Sequence, residues 1–508
     1  MSLEYSAIKI STNEAETIAK ELFNLSGEAI ALDGEADFNF KIQTTNKNYL
    51  LKISRPAENL DYVDFQSKLL QHSATKNAME IPEIILDING SAISKVKDEN
   101  GEDRLVRLTS WIEGRLWSSV NPITNTLLHS LGEFAGLLTG GFQDFEHHFA
   151  ERYLEWDISN AIWCKEKLDM FEGTQKNILS AFLTAFEQIQ PVHAEFRKSV
   201  IHNDVNDNNI LVENELINPS VLSIIDYGDA VKTQAINDVA ITLAYAIMHK
   251  EDPIAAAVEV VKGYHKHFPL LEEELAVLHV LVAMQLTITV TKSAMNKIAE
   301  PENEYHQISE KPAWKVLEKW IAIHPELAAC HFRKACGFDA HPNLKSFKSF
   351  SSDNQFSLKE LLPSINFEKV ENIDMSVGST SLGHEFEYND LDVSNFKMAQ
   401  RSKNPPTNLF AGGYAETRPI YSTSAYEVEG NCGPEYRTVH LGIDFWLADQ
   451  TPIHAFCDAE VHSVHDNNYD KDYGPTIILK HLLATGKFFY SLFGHLSKDS
   501  LTRLQKGD

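Results

Sequence analysis

The stretch VIHNDVNDNNILV, residues 200–212, places one histidine, two aspartates and four asparagines between short runs of apolar, strand-forming residues. Val200-Ile201 and Ile210-Leu211-Val212 read as buried strand pieces. The polar block between them cannot continue a packed strand without a large desolvation cost. Two readings remain: a loop whose asparagines satisfy its own backbone, or a polar site held on a rigid frame. His202, Asp204 and Asn209 have the spacing His-x-Asp-x4-Asn, and Asp226 follows in IIDYGD. Phosphoryl transfer needs a carboxylate to take or orient the proton of the attacking hydroxyl. It also needs an amide oxygen and a second carboxylate to hold Mg2+, and a lysine facing the phosphates. Asp204 fits the base, and Asn209 and Asp226 fit the metal ligands. Lys52, near the end of the alternation NYLLKIS, fits the lysine.

Working outward, apolar residues at Ala15, Ile18, Ala19, Leu22 and Phe23 mark one face of a helix over 12–25, with Ser11 or Thr12 to cap it. Residues 27–54 alternate and turn like three antiparallel strands. A helix around 60–74 and strand-like pieces at 83–96 and 104–112 follow. The helical period then runs through 124–141, 173–192, 235–250, 252–265, 271–297 and 303–323. The chain therefore reads as a small β-rich lobe, 1–113, and a larger helical lobe, 114–340. The fold class is α+β.

The two motifs, VIHNDVNDNNILV and IIDYGD, resemble the catalytic loop and metal-binding motif of the aminoglycoside phosphotransferase/choline kinase family. The HND-x-N pattern, together with WDI at 156–158, resembles its hydroxylysine kinase-like branch. The resemblance covers residues 10–340 and implies a protein-kinase-like fold. It implies that Asp204 is the catalytic base, that Asn209 and Asp226 bind Mg2+, and that Lys52 contacts the phosphates of ATP or GTP. It implies that His202 braces the loop. GEADFNF, with Gly34, stands where a phosphate-covering loop belongs, and SWIEG, with Ser110 and Ile112, where a hinge grips the base. One position departs from the pattern: Gln66 stands where a glutamate should pair with the lysine. The acceptor implied is a small cationic amino alcohol of the hydroxylysine, ethanolamine or choline class. Its ammonium needs carboxylates or aromatic faces, and Trp156, Asp157, Asp229 and Asp238 are the candidates.

Residues 341–409 are polar and breaker-rich, and read as a connector with some short strands. From 410 to 508 the sequence is β-rich. YRTVHLGIDFW sets His440 and Asp444 four apart around Gly442, and FYSLFGHLS brings His495 from a later strand. With RPIY and TPIHAFCDAEVHSV, these segments resemble the lysostaphin-like zinc metallopeptidases. In that family, the resemblance implies, His440 and Asp444 ligate Zn2+ and His495 aids catalysis. The third ligand comes from a later His-x-His motif, which does not occur before LQKGD. The expectation is an incomplete zinc site without peptidase activity, and a sheet edge covered by the connector or by a second copy of the chain. Kinase-like and lysostaphin-like segments in this order resemble the front of a fusion that continues into a class III aminotransferase.

The bulk composition sets outer bounds. A chain of 508 residues with 43% hydrophobic and 23% charged residues is globular and too long for one core. A net charge of −27 argues against a nucleic-acid partner. No apolar run is read as a bilayer span, so no membrane partner is expected. Five scattered cysteines and an N-terminus without a basic-then-apolar pattern suit the cytoplasm. The kinase reading competes with a non-catalytic regulatory module and with a zinc metallopeptidase whose kinase-like part docks a ligand.

Overall fold

The computed structural model describes residues 10–508 apart from 33, 35–36, 57, 77–78, 99–100, 300–308, 403–407 and 485. It forms two compact units, residues 1–340 and 341–508.

In the first unit, Ser11 accepts the N–H of Glu14 and Glu14 reaches back to the Ser11 N–H, a reciprocal cap that starts α1 (Thr12–Phe23). Strands β1 (Glu28–Leu32), β2 (Phe38–Gln43) and β3 (Asn48–Ile53) follow, then α2 (Leu60–Ala74), β4 (Ile84–Ile85), β5 (Ser94–Lys97) and β6 (Asp103–Ser110). They make one antiparallel sheet in the order β1-β2-β3-β6-β4, with β5 also on β6. The period of two sends Phe40, Ile42, Leu51, Ile53, Val106 and Leu108 to one face, where they pack with Ala15, Ala19 and Phe23 of α1. Lys52, lying between Leu51 and Ile53, belongs to the opposite face.

The larger lobe begins at β7 (Arg115–Leu116) and continues with α3 (Asn125–Phe142), α4 (Gly173–Ala194), β8 (Lys198–Ile201), β9 (Ile210–Val212), β10 (Val221–Ile224) and β11 (Val231–Gln234). Helices α5 (Ile236–Ala246), α6 (Pro253–His267), α7 (Glu272–Ala299), α8 (Glu310–Trp320) and α9 (Pro325–Ala335) complete it. The expected helix at 303–323 starts among residues outside the described set, and its described part is α8. Helices α3 and α6 pack backbone to backbone. A Cβ at Gly132 would stand 2.0 Å from the Val260 carbonyl, and one at Gly263 would stand 2.1 Å from that of His129, so only glycine allows the approach. The reading that no run is long and apolar enough to span a bilayer needs correction. Helix α7 is, by length and composition, but 94% of its apolar window is buried, and it is the central core helix of this lobe. The result is the expected α+β pair of lobes, β-rich then helical.

The second unit contains α10 (Leu344–Asp353), α11 (Leu358–Leu361), β12 (Lys369–Ile373), α12 (Glu385–Asn389) and α13 (Leu391–Ser402). It continues with β13 (Asn408–Gly412), β14 (Glu416–Thr417), β15 (Glu427–Gly430), β16 (Gly433–Tyr436), β17 (Val439–His440) and β18 (Phe445–Trp446). The last elements are β19 (Glu460–Asn467), β20 (Gly474–Leu482), β21 (Phe488–Phe493) and α14 (Ser500–Arg503). The connector expected at 341–409 holds regular structure. Strand β12 pairs in parallel with β13, and Phe347 and Phe350 of α10 pack on Phe489 of β21. The helical spacing of Leu344, Phe347 and Phe350 is hidden in sequence by the serines and lysines between them. Beyond it the unit is β-rich in small pieces, and among its described residues one buried cluster centres on Val461, Ile477 and Leu479.

Candidate active site

Two hairpin-like pairings bring the sequence motifs together. Strand β8 pairs with β11, and β9 with β10, both antiparallel. The polar loops 202–209 and 225–230 therefore leave the strands at the same end, side by side. The Asp204 carboxylate accepts from Asn206 Nδ2 at 2.9 Å and from Asn209 Nδ2 at 2.7 Å. Asn209 Nδ2 also donates to the Asp204 carbonyl at 2.9 Å. Burial, and after it the nearby carboxylate of Asp229, pushes the Asp204 pKa well above the usual carboxylate range.

Asp226 lies in the left-handed region, φ 64°. Its half-exposed carboxylate stands 3.5 Å from Lys52 Nζ, and this cation holds its pKa low. The Gly228 N–H donates to the same carboxylate at 3.2 Å. Asp204, Asn209, Asp226 and Lys52 are thus neighbours across the two loops and β3.

The residues fit a divalent cation. Asn209 spends its Nδ2 on Asp204, which leaves Oδ1 turned away from that carboxylate, and Asp226 offers a half-exposed oxygen pair. Among the described residues no group of three or more His, Cys, Asp or Glu is placed to hold a metal. One amide and one carboxylate suit Mg2+, which keeps waters and substrate phosphates for its other positions.

His202 lies between the two polar loops. It is fully buried, its Nε2–H donates to the Ile225 carbonyl at 3.0 Å, and its Nδ1 accepts the Asp204 N–H at 3.3 Å. Burial drives its pKa down to about 4, so the ring is neutral and links the two loops. Gly34 is close-packed: a Cβ there would meet Asn39 Nδ2 at 2.2 Å.

Two other candidates need correction. Asp238 is buried, not facing a substrate. It accepts the Asn203 N–H at 3.4 Å and the Thr139 hydroxyl at 2.8 Å, which pins the strained loop residue Asn203, φ 65°. Asp157 caps the 3-10 segment Ile158–Met170 and accepts from Thr233 and Asn237, so its carboxylate is spent inside the lobe. Ser110 gives its N–H to the Glu83 carbonyl and its hydroxyl accepts the Glu83 N–H, so both groups are engaged with the segment before β4. Trp156 is half-buried with the Lys292 ammonium 5.0 Å from its ring centre, so a cation already covers it. Ile112 is buried at the lobe junction. Asp229 alone of the substrate candidates acts on the ionisation of Asp204.

Sequence reading missed Arg152. Its Nη2 donates to the Gly228 and Ala230 carbonyls at 2.5 and 3.0 Å, and its guanidinium stacks over Tyr62, Phe65 and Phe149. It holds the metal-motif loop against α2. Nothing in its local sequence marks that role.

In the second unit, His440 and Asp444 converge at 3.4 Å. Gly442 serves this by lack of bulk rather than by an unusual backbone angle, since a Cβ there would lie 3.3 Å from His440 Nε2. Asp444 also accepts from the buried Arg418 at 2.6 Å, and Arg418 pairs Glu416 at 2.7 Å. His495 is fixed by its N–H to the Tyr473 carbonyl.

Residues 28–278 match the phosphotransferase enzyme family. Hydroxylysine kinase of Mus musculus is 23% identical over 333 residues, which cover 60% of this chain and 88% of the relative. Homoserine kinase of Zymomonas mobilis is 25% identical over 273 residues, covering 52% of this chain and 80% of the relative. Among solved structures, amicoumacin kinase in complex with AMP-PNP, Ca2+ and Ami aligns with a TM-score of 0.49 at 14% identity, covering 63% of this chain and 96% of that one.

Proposed function

We propose, from the match of residues 28–278 to the phosphotransferase enzyme family, that this chain is a small-molecule kinase. It moves the terminal phosphate of ATP or GTP to the hydroxyl of a small amino alcohol. One observation carries the reading: the Asp204 carboxylate, oriented by Asn206 and Asn209, lies within electrostatic reach of Asp226, which meets Lys52. Asp204 accepts the hydroxyl proton as that oxygen bonds to phosphorus, and the bond to the nucleoside diphosphate breaks. Lys52 neutralises phosphate charge, and Asn209 and Asp226 would hold Mg2+, which supplies further charge neutralisation when bound.

The acceptor class has support from the names of the relatives, since hydroxylysine and homoserine both carry an amine and a hydroxyl. Ethanolamine and choline share that chemistry. Asp229, within electrostatic reach of Asp204, is the residue suited to an acceptor ammonium. The lysostaphin-like reading of 410–508, and a parent protein that continues into an aminotransferase, rest on motif order alone.

Turnover of Mg-ATP and Mg-GTP with a panel of amino alcohols tests this. Transfer should be found with at least one acceptor. Asp204→Asn should lower kcat by about 100-fold to 10,000-fold while nucleotide affinity stays nearly unchanged. Wild-type turnover in Asp204→Asn would remove the assignment.

A further inference from the structure

Strand β6 carries a second cation beside Lys52. Arg107 is the direct cross-strand partner of Lys52, so both side chains rise from the same face of the sheet, away from α1. Arg107 is buried. Its Nη1 donates to Gln66 Oε1 on α2 at 2.6 Å, and its Nη2 to Asp37 Oδ2 at 3.1 Å. Asp37 belongs to the segment before β2 read as the phosphate-covering loop. Gln66 is the residue that stands where a lysine-pairing glutamate was expected. The structure shows its partner to be the arginine, and Lys52 turns to Asp226.

Charge explains the arrangement. Lys52 and Arg107 face Asp37 and Asp226, two cations against two anions. A glutamate at 66 would add a third carboxylate within reach of both cations and draw Lys52 from the cleft. A glutamine gives Arg107 a neutral acceptor, satisfies a buried guanidinium and leaves Lys52 facing the cleft. The contact closes three elements on one another: the helix through Gln66, the loop through Asp37, and the strand neighbouring Lys52.

We propose that Arg107 is a positioning residue of the nucleotide site, which ties α2 and the loop at Asp37 to the strand beside Lys52 in place of a lysine–glutamate pair. Its purpose rests on the kinase reading above, but the tie itself does not.

Two measurements on the full chain test the parts separately. Without nucleotide, a double-mutant cycle of Arg107→Ala and Gln66→Ala in denaturant unfolding reads the tie. The unfolding constants should be coupled by about threefold or more, and additive effects overturn it. With Mg2+ and a non-hydrolysable ATP analogue, Arg107→Ala should raise the nucleotide Kd about tenfold or more, with the acceptor KM little changed. If Arg107→Ala does not fold, Arg107→Lys carries the same expectation. The pair Arg107→Lys with Gln66→Glu should recover part of the lost affinity, because the new lysine engages the carboxylate and leaves Lys52 to Asp226. A nucleotide Kd unchanged in the arginine variants overturns the positioning role. A wild-type protein that binds nucleotide and phosphorylates no acceptor removes the kinase reading and leaves this inference to the Kd comparison.

Discussion

Asp226 and Asp444 each face a cation, and they differ in how tightly. Asp226 in the first unit stands 3.5 Å from Lys52 and is half exposed. Asp444 in the second is bound by Arg418 at 2.6 Å, and that arginine is buried and shared with Glu416. A loose pair at a cleft can open when a metal and phosphates arrive. A short charge-assisted pair with a buried guanidinium resists opening, because separation would leave a desolvated charge behind. The supports differ in the same direction. Around Asp226 and Asp204 the loops are pinned by His202, Asp238 and Arg152. Asp444 lies beside the short pairing of β13 with β18, where its carbonyl accepts the Gly412 N–H. What distinguishes a working carboxylate is not its neighbour in sequence but whether its partner can be given up.

The sharpest way to break this comparison is Asp226→Asn. The amide keeps the shape but loses the charge that faces Lys52 and would face Mg2+. We expect kcat/KM to fall about 100-fold or more, with the Mg-nucleotide Kd accounting for much of it. An unchanged nucleotide affinity would mean that Asp226 is only a structural partner of Lys52.

Next comes Arg418. Replacing it by methionine strips Asp444 and Glu416 of their buried partner, and the second unit should lose about 3 kcal/mol of stability. For the same reason the wild-type protein, dialysed against a weak chelator, should keep well under one zinc per chain. His440 and Asp444 are two ligands where a catalytic zinc takes three, and one is already engaged. Stoichiometric zinc, with peptide cleavage that His440→Ala abolishes, would overturn this view of the second unit.

How much of this was legible in the sequence follows from the range of each interaction. The lobes and most helices are written in local periodicity, which a chain displays one turn at a time. That Asp204, Asn209, Asp226 and Lys52 come together was legible, because the two motifs set polar residues beside short buried strands. The supports were not. Asp238 reaches Asn203 across 35 residues and Arg152 reaches Gly228 across 76, and no local pattern encodes such a contact. Asp157 misled because a carboxylate looks the same in sequence whether it faces a ligand or a backbone N–H. The segment 341–409 misled because Ser- and Lys-rich composition masks the few apolar residues that fix α10.

The smallest expected effect concerns the brace beneath the catalytic loop. Burial raises the Asp238 pKa to about 6 from 3.8, so in this range the folded protein binds a proton that the unfolded chain has released. Its contribution to stability therefore falls as pH rises through that window. His202 has the opposite sign: burial lowers its pKa to about 4 from 6.5, so the unfolded chain binds the extra proton and stability rises with pH. Side by side, the two braces offset each other in mildly acidic solution. Asp238→Asn keeps an acceptor for the Asn203 N–H and an amide for Thr139, but removes one of the two titrations. Between about pH 4.5 and about pH 5.5 the variant should gain about 1 kcal/mol of stability relative to the wild type, because it lacks the downward term. Denaturant midpoints at a few pH values decide it. Parallel curves for the two proteins would show that Asp238 is ionised throughout, and that the loop is held by a full charge rather than by a shared proton.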